Sequence, residues 1–183
     1  MVDIIEKYFG KMKPNPNIPR LQVKEETPLV APVSRTVRGL ETPVTYMAWR
    51  LPAAKSRDAY LMELVSRVVN NGECGLFDVN LDLPQKMLQS GAFVYPLSDQ
   101  GMFVVIGVPG EGQSLTEVRD LLLNEVLKVA KGEFSDTLLQ AVKNNLKAEL
   151  QGSFEDNSGT HSHVWKLKLP VNTTTADIKA MTP

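Results

Sequence analysis

Residues 46–83, YMAWRLPAAKSRDAYLMELVSRVVNNGECGLFDVNLDL, compress a strand, an amphipathic helix and a glycine-rich break into one run. Val44–Trp49 alternates Val44, Tyr46 and Ala48 against Thr45, Met47 and Trp49, the period of a pleated strand. Large side chains on both faces predict a central place in a sheet. Ser56 stands where an N-cap belongs. Behind it, Leu61, Leu64, Val65, Val68 and Val69 form one apolar stripe, so a helix is expected over Arg57–Asn71, with Gly72 as its stop. Leu76–Leu83 reads as a short second helix. A strand followed by a helix with one apolar face implies a layered structure.

The same elements recur around this run. Val33–Leu40 reads as a strand that pairs with Val44–Trp49 through a hairpin at Glu41-Thr42-Pro43. Ala92–Leu97 and Met102–Val108 form a second hairpin around Asp99-Gln100-Gly101. Pro96 marks an edge or bulge, and MFVVIGV, the most apolar strand, belongs in the middle of the sheet. Ser114-Leu115-Thr116-Glu117 is a capping-box sequence. It opens a helix carrying Leu115, Val118, Leu122, Val126 and Val129, which Gly132 ends. Ser135 caps a further helix with Leu139, Val142, Leu146 and Leu150. After Gly152 the pattern weakens into loop residues around a helix near Trp165. The expected class is α+β: a mostly antiparallel sheet with helices packed on one face.

The N-terminal part differs in kind. Val2–Phe9 places Val2, Ile5, Tyr8 and Phe9 on one helical face, and Gly10 follows as a stop. Pro14, Pro16, Pro19, Pro28 and Pro32 then favour extended chain, with a short strand expected at Leu21–Lys24. The expected division is residues 1–32 as helix and interdomain arm, and 33–183 as the α+β domain.

Charge narrows the partners. Twenty Lys and Arg face 21 Asp and Glu, a balance that gives no electrostatic reason for nucleic acid or an anionic membrane. No window reaches the roughly 20 apolar residues of a membrane span. Cys74 is the single cysteine, so no internal disulfide can form, and a soluble cytoplasmic or exported protein fits equally. Buried beside Gly75, Cys74 is expected to be structural rather than nucleophilic.

Candidate chemistry is sparse. Catalytic zinc takes about three protein ligands and an open position. The chain has two histidines, His161 and His163, whose spacing puts them on nearly opposite sides of a helix. Asp78 and Asp82 would share a helix face as an acid–base pair, but solvated helix charge is the simpler expectation. Gly107-Val108-Pro109-Gly110-Glu111-Gly112 precedes a helix, as a phosphate loop does. It lacks Gly-Lys-Ser/Thr, and Pro109 removes a donor, so it reads as a strand-to-helix connection. No Gly-x-Ser-x-Gly is present.

The serial order of motifs resembles the C-terminal type of domain in the insulinase/pitrilysin family of zinc peptidases. The resemblance begins at Tyr8-Phe9-Gly10 and runs through Trp49-Arg50-Leu51-Pro52 and the Asp58–Asn71 helix. Gly72 and Gly75-Leu76, Gly112-Gln113-Ser114 and Lys131-Gly132-Glu133-Phe134 follow in family order, so that it spans roughly residues 5–160. It implies the insulinase and mitochondrial-processing-peptidase type of fold. In that family active domains sit beside inactive ones and close as a clamshell around an unfolded peptide.

The family's His-x-x-Glu-His zinc sequence is absent here. The resemblance thus implies a non-catalytic domain with no catalytic and no metal-binding residue of its own. Zinc is expected in a partner domain of the same parent chain. Relatives continue past this endpoint, with Ala176-Asp177-Ile178 looking like the start of another helix, so the domain is expected to be truncated at its C-terminus. Some relatives use an Arg and a Tyr of a non-zinc domain to hold substrate. Here Gln85 and Ala92 occupy those positions, and Lys86 and Tyr95 are the nearby candidates for substrate binding. The alternative is a structural or interaction subunit of the same fold with no link to proteolysis. An independent small-molecule module would need converging polar groups, and the sequence shows no such cluster.

Overall fold

The computed structural model describes residues 2–13, 15–19 and 26–155. The strand expected at Leu21–Lys24, the helix near Trp165, His161, His163 and Ala176–Ile178 lie outside the described residues. The chain divides into one unit that ends at Val37 and a second that starts at Arg38.

In the first unit α1 spans Val2–Phe9, as the apolar spacing predicts. Gly10 N–H closes it by donating to Glu6 O at 2.9 Å. A Cβ on Gly10 would meet that oxygen at 2.5 Å, so a side chain there would force the backbone apart. No residue of α1 is buried.

The second unit runs β1 (Thr45–Pro52), α2 (Arg57–Val69), β2 (Gln89–Tyr95), β3 (Gln100–Val108), α3 (Leu115–Lys131) and α4 (Asp136–Glu155). The three strands are antiparallel in the order β1-β3-β2. The apolar MFVVIGV segment does lie in the centre, as β3. β1, expected in the middle, is instead an edge strand among the described residues. Its large side chains on both faces have a different cause: one face is core and the other is open, with Tyr46 67% exposed.

Val33–Leu40 is not a strand. One alternating set holds Val33, Arg35, Val37 and Gly39, the other Ser34, Thr36, Arg38 and Leu40. Neither set gives an apolar face to bury, and Val37 stays 91% exposed. β2 starts earlier than expected and ends at Tyr95, just before Pro96, which has no donor for a ladder. Ala54 N–H donates to Leu97 O at 3.0 Å, which ties the exits of β1 and β2 together across the start of β3.

The helix caps follow the sequence. Ser56 Oγ accepts from Ala59 N at 3.1 Å, Ser114 Oγ from Glu117 N at 3.2 Å, and Ser135 Oγ from Leu138 N at 3.1 Å. Each satisfies an amide that the first helical turn leaves without a partner. α2 stops at Val69, because Asn70 turns to extended backbone (φ −151°) before Gly72 is reached. Gly132 ends α3 in the left-handed region at φ 69°. α4 runs on through Gly152.

All odd positions of β3 from Gly101 to Gly107 are buried, and the even ones are not. Register therefore assigns faces. Phe103 with its partners Trp49 and Val94, and Val105 with Met47 and Ala92, point to the helices. Trp49 and Phe103 pack with ring centroids 5.6 Å apart. Against them sit Val68 and Val69 of α2 and Val118 and Leu122 of α3, all essentially inaccessible to water. Each such side chain contributes about 2 kcal/mol on burial. α4 packs on α2 through Leu139 and Val142.

Candidate functional site

The segment that links α2 to β2 carries most of the buried polar chemistry. Leu76 and Phe77 begin a helical turn that widens at Asp78–Asp82 into a single π turn. Leu83 N–H reaches back five residues to Asp78 O at 2.8 Å, the spacing that defines that geometry. Phe77 and Leu81 point inward and are buried.

Asp78 is not a solvated helix charge, contrary to the expectation from sequence. Its Oδ2 accepts from the backbone amides of Asn71 (3.0 Å), Gly72 (3.0 Å) and Gly75 (2.8 Å). Its Oδ1 accepts from Asn70 Nδ2 at 2.6 Å. One carboxylate thereby gathers the whole glycine-rich break. Such charge-assisted bonds are about twice as strong as neutral ones. A Cβ at Gly75 would approach Asp78 Oδ2, Val69 O and Asn70 Cα at 2.8 Å each, which explains the glycine.

Asp82 faces a different surrounding. Ser90 Oγ donates to its Oδ2 at 2.9 Å, while its Oδ1 is buried with no hydrogen-bond partner among the described residues. Burial raises the Asp82 pKa above the ordinary carboxylate range. The bonds from Ser90 pull it down, and the nearby Asp78 charge adds to the rise. The two carboxylates thus have different surroundings: Asp78 accepts four hydrogen bonds from the loop, and Asp82 accepts from Ser90. Buried Glu125 of α3 fixes the far side of the π turn, accepting from Asn80 Nδ2 at 2.8 Å and from Lys128 Nζ at 2.7 Å.

The glycine-rich connection of β3 to α3 is occupied by its own side chain. Gly110 N–H donates to Gln113 Oε1 at 3.0 Å, and Gln113 Nε2 donates to Lys86 O at 2.8 Å. A phosphate would have to displace Gln113. Cys74 is half-buried, with Asn71 Nδ2 3.6 Å from its sulfur.

Lys86 lies in the turn before β2, its amide bonded to Leu81 O at 2.9 Å. Tyr95 is the last residue of β2. Seven residues of strand separate their surroundings by about 20 Å, so they cannot converge on one atom. An extended peptide along β2 is long enough to meet both.

Tyr95 belongs to the sheet face turned away from the helices. That face has three cross-strand rows: Tyr46–Ile106–Gly91, Ala48–Val104–Phe93 and Arg50–Met102–Tyr95. Phe93 is 42% and Tyr95 53% exposed. Gly91 leaves room for Ile106, whose Cγ1 would lie 3.1 Å from any added Cβ. The face is apolar and aromatic, with Arg50 as its one charged member among those rows. Sequence alternation alone missed it, because the same residues read equally well as the inner side of a buried strand.

A cleft of about 270 Å³ lies elsewhere, between the end of α2 and α4, lined by Arg67, Asn71, Val142 and Glu149 among others. Arg67 and Glu149 pair across it at 3.2–3.3 Å. Among the described residues no three His, Cys, Asp or Glu side chains group closely enough to hold a metal ion. No described helix is long and apolar enough to cross a membrane.

Comparison with known proteins places this geometry. The sequence profile of the peptidase M16 inactive domain matches residues 1–146. No curated protein matches the chain. Among solved structures, a protease from Helicobacter pylori superposes with a TM-score of 0.68 at 18% identity, over 76% of this chain and 37% of that one. The chain thus spans little more than a third of that protease. The inactive peptidase domain of a candidate zinc protease from Bordetella parapertussis superposes with a TM-score of 0.63 at 14% identity. That match covers 79% of this chain and 86% of the other. At these identities the two likenesses speak for the fold.

Proposed function

The chain belongs to the peptidase M16 inactive-domain family, and from that premise we propose that it is the non-catalytic domain of a zinc metalloprotease. In this reading it helps to form a chamber for unfolded peptide beside a separate zinc-bearing domain of the same parent protein. Residues 1–32 serve as the helix and arm that join the two. The observation that carries the reading is the pairing of an inactive-domain sequence with a sheet that keeps one apolar, aromatic face open. Such a face can take the side chains of an extended peptide without demanding a sequence, since it offers area and few fixed hydrogen bonds. Lys86 and Tyr95, at the two ends of β2, are the residues proposed to touch that peptide.

The test compares the 183-residue chain with its full-length parent on an unstructured fluorogenic peptide. The parent is expected to cleave it and to lose activity with a chelator, while the chain alone cleaves nothing. Tyr95→Ala and Lys86→Ala in the parent should raise KM several-fold and leave kcat nearly unchanged, the signature of binding shared by ground and transition states. A parent that binds no zinc and cleaves no peptide would instead favour an interaction subunit of the same fold.

A further inference from the structure

We propose that Asn71–Gly72 is a modification site, a self-deamidating pair that the folded break holds in check and that converts to aspartate and isoaspartate once the break opens. It is the one Asn-Gly pair of the sequence. Ring closure at such a pair joins the backbone nitrogen of the glycine to the side-chain Cγ of the asparagine. Glycine favours it because no Cβ crowds the attacking nitrogen. Steric shielding does not protect the pair here. Gly72 is exposed, and a Cβ on it would meet no described atom within 4 Å.

Hydrogen bonds take that role instead. The Gly72 N–H donates to Asp78 Oδ2 at 3.0 Å. A negative charge beside the nitrogen opposes removal of its proton, which ring closure requires. A carboxylate is itself far too weak a base to accept that proton. The side-chain amide of Asn71 is fixed at both ends. Its Oδ1 accepts from Glu73 N at 3.0 Å and from Cys74 N at 2.9 Å, and its Nδ2 donates to Arg67 O at 3.0 Å. The two amides on Oδ1 favour charge there, but Nδ2 is the leaving group and has to quit Arg67 O before it departs. Cyclisation therefore waits on opening of the break, and Asp78, with four bonds across it, governs that opening.

In the open state the Gly72 nitrogen gives up its proton and bonds to Asn71 Cγ. The Cγ–Nδ2 bond breaks, and ammonia leaves carrying that proton. Water then adds across one carbonyl–nitrogen bond of the imide, its hydroxyl to carbon and its hydrogen to nitrogen. Addition at Cγ leaves aspartate, and addition at the main-chain carbonyl leaves isoaspartate, with an extra carbon in the path of the chain. Both products lose the donor that Arg67 O accepts and gain a negative charge next to Asp78. The break then closes poorly, since a carbonyl is left without its partner and like charges meet. The change is one-way, and it marks chains that have opened at the end of α2.

Isoaspartate-resolved peptide mapping of the 183-residue chain at mildly alkaline pH follows the reaction. The chain unfolded in urea should deamidate at Asn71 at least about 100-fold faster than the folded chain. Folded Asp78→Asn should react at least about 10-fold faster than folded wild type. Asn70→Ala, which removes only the bond to Asp78 Oδ1, should fall between them. Unfolded Asp78→Asn should match unfolded wild type, which separates opening of the break from a direct effect on the chemistry. Equal rates in folded and unfolded wild type would overturn the inference. So would an unchanged or slower reaction in folded Asp78→Asn, the slower one by making Asp78 the base. Should Asp78→Asn fail to fold, Asn70→Ala decides alone: a rate no faster than that of folded wild type counts against the role of Asp78. Asn71→Asp carries the charge of one product and should lower the urea midpoint, and an unchanged midpoint would remove the one-way step.

Discussion

Asp78 Oδ2 sits 2.8 Å from the Gly75 amide nitrogen and holds the amides of Asn71 and Gly72 at the same time. An asparagine there would turn an N–H toward one of these donor groups. Asp78→Asn is therefore expected to lower stability by about 2–3 kcal/mol. Urea unfolding of the variant beside Glu111→Gln, a change at an exposed loop residue, checks it. Equal midpoints for the two would show that the carboxylate does not organise the break.

Asp82 gives a pH dependence of opposite sign to most carboxylates. Its pKa in the folded chain is raised, first by burial, so the native state holds this proton more tightly than the unfolded chain does. Stability from this group is full below the unfolded carboxylate value of about 3.9 and is lost as pH rises through the folded value. Asp82→Asn should remove that decline and be no less stable than the wild type at pH 7. Urea midpoints of both proteins from pH 4 to 7 are expected to diverge as pH rises, and parallel curves would contradict the assignment.

Gly107 lets α3 lie close against the sheet. A Cβ there would lie 2.7 Å from both Val118 Cγ1 and Leu122 Cδ1. Gly107→Ala should cost about 1–3 kcal/mol by overpacking. Leu122→Ala should cost about 2–5 kcal/mol by leaving a cavity. The double variant should lose less than the sum, since each change relieves the other. Strict additivity in thermal unfolding would rule out the contact as the cause.

Gln85 has φ 53°, the one positive value among described residues other than glycine. Gln85→Gly should stabilise the chain by about 0.5–1 kcal/mol, and Gln85→Val should destabilise it by at least as much, because a β-branched residue suits that region least. If the two variants shifted the melting temperature alike, backbone strain at this turn would be excluded.

What sequence could reveal follows the range of the interactions. Ser56, Ser114 and Ser135 were legible as caps because a cap acts over three residues. The stripes of α2 and α3 were legible because one helix sets its own period. β1 was misplaced because its position depends on Thr45 meeting Gly107, 62 residues away, and nothing local encodes that. Val33–Leu40 looked like a strand on β-branched content, yet alternation there yields no apolar side. The candidate site suffered likewise. Lys86 and Tyr95 are near in sequence, but strand rise carries them apart. The Asp82 carboxylate takes its hydrogen bond from Ser90, which the chain brings to it only after the turn that leads into β2.

The sheet order also has a kinetic meaning. β2 and β3 meet across Pro96–Asp99, whereas β1 must be brought to β3 over the 47 residues between Pro52 and Gln100. Closing the longer loop costs about 2 kcal/mol more in chain entropy than closing the shorter one. By that measure the β2–β3 hairpin is the cheaper pairing to form, and β1 adds to its vacant side at the greater entropic cost.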